Sequence, residues 1–174
     1  EDFIDGEGVA LVLGDNILYG QGLPSVLRKA IIQPTGATVF AIEVQNPQDY
    51  GVVEFDAQGQ AISLQEKPTH PRSRNAVIGL YLYDGDAPRM AAELKLSARG
   101  EYDITDLNRR YLELDRLTVV RLGRGTAWFD AGTVSALLDA GDFVRTIQTR
   151  QGHRIACLEE IAFGMGYIER EQLR

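Results

Sequence analysis

The chain has 174 residues, 44% hydrophobic and 25% charged, which is enough for one domain with a real core and ordinary for a globular protein. Its net charge of −7 argues against a nucleic-acid surface. No apolar run approaches the roughly 18–20 residues that span a bilayer, and no signal-peptide pattern opens the chain. Cys157 is the only cysteine, so an internal disulfide is excluded and a reducing, cytoplasmic compartment is the natural reading. His70 and His153 are too few and too far apart to suggest a histidine-based metal site.

Residues 1–8 (EDFIDGEG) read like the end of a helix and a turn. The run VALVL (9–13) shows no polar alternation, which predicts a central parallel strand covered by helices on both faces. Such a strand normally has earlier strands beside it, so the chain is expected to be part of something longer. LPSVLRKAII spaces Leu23, Val26, Leu27 and Ala30 at helical intervals, and GATVFAIEV (36–44) is a second strand. YGVVEFDAQGQAISLQEKP reads as two strands around a turn at Ala57–Gln60, with Gly59 supplying the turn conformation. NAVIGLYLYD (75–84) is the longest strand candidate.

DAPRMAAEL then reads as a helix with Asp86 as cap and Pro88 in its first turn, and DITDLNRRYLEL as another capped near Thr105. LTVVRL (117–122) and TAWFD (126–130) are short strands. A helix from about Thr133 sets Ala136, Leu137, Ala140, Phe143, Val144 and Ile147 on one face and stops near Gly152. The tail reads as one or two short helices, with Cys157 as a small buried hydrophobe. Strands alternating with helices indicate a single α/β domain over 1–174 on a mostly parallel sheet.

Ligands in open α/β sheets bind beyond the carboxyl ends of strands, where Asp15 and Asp130 fall. Two such carboxylates can share Mg²⁺, which prefers oxygen ligands; each alone is also an ordinary turn or cap residue. In EKP, Lys67 suits a phosphate and Glu66 suits sugar hydroxyls, although the pair is also what an exposed ion pair before a proline turn looks like. Tyr50 offers an aromatic platform, and Gly51 lets a ligand approach the backbone, or the two form a strand-entry turn. Arg99 lies in a loop before a helix, within reach of a phosphate oxygen or free in solvent. Arg72 and Arg74, in a proline-rich loop, read as surface charge. Neither Ser–His–Asp nor Cys–His spacing occurs, so covalent hydrolase chemistry has no support.

Taken together, LGDNILYG, YGVVEFD, LQEKPTHPRSRNAVIGLYLYD, ARGEYDITDLNRRYL, GTAWFDAGT and RIACLEEIAFGMGYI, in that order, resemble the glucose-1-phosphate thymidylyltransferases, a sugar nucleotidyltransferase family. The resemblance implies a Rossmann-like nucleotidyltransferase sheet with helices on both faces, truncated at its N-terminal side. It implies that Asp15 and Asp130 bind Mg²⁺ and that Lys67 and Arg99 hold the phosphate of glucose 1-phosphate. Tyr50, Gly51, Glu66, Val77 and Tyr81 would line the glucose pocket, with Trp128 beside the metal loop. The implied partners are glucose 1-phosphate and a deoxythymidine nucleotide, joined to give dTDP-glucose for the rhamnose pathway. No membrane or nucleic-acid partner is implied.

The family's glycine-rich loop, similar to G-G-x-G-T-R-L, does not occur in these 174 residues; GQG (20–22) and GRG (123–125) lack its continuation. The chain alone is therefore expected to be inactive, the alternative being a non-catalytic remnant that binds sugar phosphate or a partner chain. A homo-oligomer burying residues near Val9–Leu13 is also expected.

Overall fold

The computed structural model describes residues 4, 6–32, 35–97 and 99–173. Two compact units emerge, Glu1–Trp128 and Phe129–Arg174.

The first unit is built on strands β1 (Val9–Val12), β3 (Ala37–Glu43), β4 (Gly51–Phe55), β5 (Ala61–Glu66), β6 (Asn75–Tyr83) and β7 (Leu117–Arg121), in the order β5-β4-β6-β3-β7 with β1 also on β6. Its helices are α1 (Leu23–Ile31), α2 (Ala87–Ala92) and α3 (Ile104–Glu113). The α/β class holds, but the sheet is mixed rather than mostly parallel. Only β3–β7 runs parallel, while β1–β6, β3–β6, β4–β5 and β4–β6 are antiparallel. The short connections explain this. A parallel return needs a crossover of about a dozen residues or more, usually a helix. The β4–β5 turn is instead closed by Asp56, whose Oδ1 accepts from the Gln58 and Gln60 N–H groups at 2.9 and 2.8 Å, with Gly59 at φ 83°. Residues 67–74, between β5 and β6, contain no helix either.

Burial over Ala76–Tyr81 is continuous because both faces of β6 are covered. Val77, Tyr81 and Tyr83 face Val39, Val53, Met90, Leu107 and Tyr111, with α2 and α3 above them. Ile78 and Leu80 face Phe40 and Ala30, where α1 adds Val26 and Leu27. A carboxylate closes the first core at its edge. Asp84 accepts from the Gly36 N–H (2.6 Å), the Tyr111 hydroxyl (2.8 Å) and Arg116 Nη2 (2.5 Å). Burial pushes its pKa up. The bonds from Tyr111, the Gly36 and Asp86 N–H groups and Arg116 outweigh that, and hold it below the ordinary value.

Several expectations change. β1 is not a central parallel strand: it pairs only with β6 among the described residues, antiparallel, and Ala10, Leu11 and Val12 are exposed. An additional strand, β2 (Asn16–Gly20), pairs with β8 (Thr126–Asp130) in a separate two-stranded sheet. Gly20 is needed there, since a Cβ would sit 3.0 Å from the Gly125 carbonyl oxygen. Helix α3 starts after Asp103, not Thr105, whose hydroxyl is engaged elsewhere.

The second unit carries α4 (Val134–Gln151) and α5 (Leu158–Gly164), then a 3-10 turn at Arg170–Gln172. Thr133 caps α4 by accepting from the Ala136 N–H at 3.2 Å, and Gly152 ends it at φ 72°. Ala140 is buried, and Phe143 packs on Phe129 with ring centroids 5.0 Å apart, but Leu137 stays exposed. Cys157 is half-buried and donates to Glu159 at 3.4 Å, so it is not a core hydrophobe. Among the described residues, no helix is long and apolar enough to cross a membrane.

Candidate active site

A split along one edge of β6 makes the site. β3 occupies one edge of β6; the other is shared, by β4 at Asn75 and Ala76 and by β1 at Leu80–Tyr83. Between them, at Val77–Gly79, no strand among the described residues pairs on that edge. The Gly79 backbone is satisfied by the segment leaving β1. The Leu13 N–H donates to the Gly79 carbonyl (2.9 Å), and the Gly79 N–H donates to Asn16 Oδ1 (2.9 Å). Glycine is required at 79, because a Cβ would lie 2.7 Å from the Asn16 amide.

Asn16 is the functional residue that sequence reasoning left without a role. Its Oδ1 also accepts from Trp128 Nε1 at 2.7 Å. Two donors on Oδ1 fix the amide orientation, so Nδ2 points outward and donates to Asp15 Oδ1 at 2.9 Å. The Asp15 carboxylate is thus aimed from the strand end by a relay anchored on β6. Trp128 also makes an edge contact with Tyr50, ring centroids 4.9 Å apart.

Across the notch, Gly51 pairs with Glu66 in the β4–β5 ladder. A Cβ on Gly51 would stand 2.9 Å from Thr105 Oγ1 and 3.3 Å from Glu66 Oε2, so glycine leaves the carboxylate open. Thr105 donates to Glu66 Oε2 at 2.6 Å, and Arg99 Nη2 lies 3.6 Å from Oε1. Arg99 also meets Asp103 (2.5 Å) and Glu101 (3.4 Å). Sequence analysis missed Thr105 and Asp103 as site residues, having spent Thr105 on a helix cap. Val77 and Tyr81 are buried beneath. Burial, and then the negative charge of Glu66, push the Tyr81 hydroxyl up to about 12, which keeps it a neutral hydrogen-bonding group.

Lys67 follows at the end of β5. Its N–H donates to the Tyr50 carbonyl at 3.0 Å, and its φ of 42° is left-handed, rare for a residue with a side chain. Its side chain is exposed. Tyr50, Gly51, Glu66, Lys67, Val77, Tyr81, Arg99 and Trp128 therefore belong to one unit, joined by the contacts above.

Asp130 lies in the second unit, half-buried, with its Oδ1 accepting from the Gly132 N–H at 3.4 Å. Among the described residues no group of three or more His, Cys, Asp or Glu side chains is placed to hold a metal ion. The donors on offer suit Mg²⁺, which takes hard oxygens and is commonly held by one or two carboxylates plus substrate phosphates. Asp15 meets that description; among the described residues only its Oδ1 is engaged by the protein.

Comparison with known proteins bears on the family and the fold. The family model for nucleotidyl transferases matches residues 1–147. A glucose-1-phosphate thymidylyltransferase of Xanthomonas campestris pv. campestris (strain B100) is 54% identical over 172 residues, covering 99% of this chain and 58% of that protein. One from Mycobacterium tuberculosis (strain ATCC 25618 / H37Rv) is 54% identical over 170 residues, covering 98% and 59%. A Bacillus anthracis crystal structure, assigned as a glucose-1-phosphate thymidylyltransferase and holding a sucrose, superposes with a TM-score of 0.71 at 37% identity, covering 83% of this chain and 57% of that one. A UDP-glucose pyrophosphorylase complexed with UDP-glucose shares the Rossmann-like fold at TM-score 0.69 and 24% identity, covering 84% and 59%. The chain thus spans a little under three-fifths of the length of these two enzyme relatives. By its family match and its fold, it belongs to the nucleotidyl transferase family.

Proposed function

We propose that this chain carries the sugar-phosphate half of a glucose-1-phosphate thymidylyltransferase. The observation that carries the reading is the notch beside Val77–Gly79. There Gly51 leaves room, Thr105 and Arg99 hold Glu66 as an acceptor for sugar hydroxyls, and Lys67 presents a cation at the rim. Lys67 and Arg99 hold the phosphate of glucose 1-phosphate, and Tyr50 and Trp128 form the aromatic side of the pocket. Phosphate must compete for Arg99 with the carboxylates that now surround it.

In the complete reaction an oxygen of the sugar phosphate attacks the α-phosphorus of dTTP. The new P–O bond forms as the α–β phosphoanhydride bond breaks, and pyrophosphate leaves. Such a transfer depends on positioning and charge neutralisation more than on acid–base groups. Asp15 and Asp130 are the residues that would hold Mg²⁺, which supplies charge neutralisation between the phosphates when bound. Asn16 orients the first of these carboxylates. A cytoplasmic homo-oligomer serving dTDP-rhamnose synthesis completes the proposal.

Calorimetry at millimolar glucose 1-phosphate tests it. Binding is expected to the 174-residue chain and to be abolished by Lys67→Ala; equal binding by both sinks the assignment. The same preparation should not release pyrophosphate from dTTP, because the glycine-rich loop is not among these residues. Each preorganised donor of that kind is worth roughly 10²–10³ in rate. Robust Mg²⁺-dependent release would overturn that expectation.

A further inference from the structure

Asp103 stands at the N-cap of α3 with extended backbone (φ −90°, ψ 129°), where an aspartate ordinarily turns its carboxylate onto the free N–H groups of its own helix. Here it does not. The side chain caps no N–H of α3; only the main-chain carbonyl engages the first turn, accepting from the Asp106 N–H at 3.0 Å. The carboxylate is almost fully buried, with 8% of the side chain exposed, and accepts from Arg99 Nη2 at 2.5 Å. A buried charge has to be paired, and this one is paired in place of the cap it could have made.

The other carboxylates near Arg99 hold it differently. Glu66 and Glu101 lie 3.6 and 3.4 Å from Nη2, and among the described residues only Asp103 accepts a hydrogen bond from the guanidinium. The main chain of Arg99 is fixed as well. Its N–H donates to Ser97 Oγ at 3.3 Å, and the Gly100 N–H donates to the Ser97 carbonyl at 2.9 Å. An arginine free in solvent must order several rotors when it grips a ligand, whereas this one is tied at both ends. Helix α3 links that tie to the rest of the site. Thr105, in its first turn, holds Glu66, and Asn108 anchors the helix to β6 by accepting from the Tyr83 hydroxyl at 2.6 Å.

We propose that Asp103 is a positioning residue for the sugar phosphate: it aims the Arg99 guanidinium, and the fold forgoes a helix cap to keep it aimed. This role rests on the reading of Lys67 and Arg99 as the cations that hold the phosphate of glucose 1-phosphate. Charge alone has the opposite sign. Removing a carboxylate from beside a phosphate strengthens binding on Coulombic grounds, whereas releasing Arg99 weakens it.

Calorimetric titrations with glucose 1-phosphate separate the two effects in the variants Asp103→Ser and Asp103→Asn of the 174-residue chain. Both replacements are neutral and both are favoured N-cap residues, so neither costs α3 its start; only asparagine keeps an acceptor with the reach of the native carboxylate. Asp103→Ser should bind about five- to tenfold more weakly than the parent, the scale of ordering one rotamer-rich side chain anew. Asp103→Asn should stay within about twofold of the parent, a rescue that neither helix capping nor charge removal produces. A serine variant as tight as the parent, or an asparagine variant as weak as the serine one, overturns the role of Asp103 and leaves the sugar-phosphate site standing. Failure of the parent chain to bind glucose 1-phosphate refutes the underlying reading and the positioning role with it.

Discussion

Replacing Asp84 by alanine should remove a large part of the stability of the first unit. The carboxylate is the acceptor for the Gly36 N–H, the Tyr111 hydroxyl and Arg116 Nη2, and so ties the start of β3 to α3 and the start of β7. The longer bond from the Asp86 N–H (3.2 Å) is lost too, and the other three losses differ in kind. The Gly36 N–H and the Tyr111 hydroxyl are left without acceptors where water has little access, at about 1–3 kcal/mol each. Arg116 keeps Asp86 at 2.8 Å, and with its side chain 36% exposed its loss is the small one of a screened surface pair. The two buried losses sum to about 2–6 kcal/mol, against a typical domain stability of about 5–15 kcal/mol.

Urea unfolding followed by circular dichroism reads this directly, with Arg116→Met as the companion variant expected to cost far less than Asp84→Ala. The sign of the pH dependence follows from the lowered Asp84 pKa. Its contribution is complete above the ordinary carboxylate value and is lost as the pH falls through the depressed native value, a slope that Asp84→Asn should lack. An Asp84→Ala protein within about 1 kcal/mol of the parent would refute the assignment of this carboxylate as the tie.

Gly51→Ala should push a methyl group against Thr105 and Glu66, lowering affinity for glucose 1-phosphate about tenfold while overpacking costs only about 1–2 kcal/mol of stability; unchanged affinity in calorimetry would remove Gly51 from the site. Tyr81, raised to about 12 by burial and Glu66, should make the fold less stable as the pH climbs from about 10 to 12, since the unfolded chain ionises first; the loss is roughly 2–3 kcal/mol for this residue. Denaturant titrations in which Tyr81→Phe shows the same alkaline slope as the parent would contradict this.

The strands whose patterns are strongest were the most legible: the β4–β5 hairpin with Gly59 at its turn, the continuous apolar run of β6, and α4 between Thr133 and Gly152. The direction of pairing was not. An unbroken run such as VALVL does not distinguish a central parallel strand from one that lies antiparallel along half of β6, because periodicity carries no information about partners. β2 escaped notice because Asn16–Gly20 is uniformly half-buried and offers no alternation. In the site, the charged and aromatic residues stood out by type, whereas Asn16 and Thr105 did not. Both act through hydrogen bonds to distant residues, Asn16 to Gly79 and Trp128, and Thr105 to Glu66, and local sequence does not record such partners.

The left-handed backbone at Lys67 sets folding against charge at a single position. A side chain in that conformation costs about 1–2 kcal/mol, which glycine avoids. A thermostability screen blind to ligand would therefore enrich glycine at 67, and each enriched variant would have lost the ammonium at the rim of the notch. Asp115 and Ala156, at φ 55° and 52°, make the contrast plain. Neither has a role in the proposed chemistry, so glycine there relieves the same backbone without that loss. In this chain, a library designed for robustness should admit glycine at 115 and 156 and hold 67 fixed.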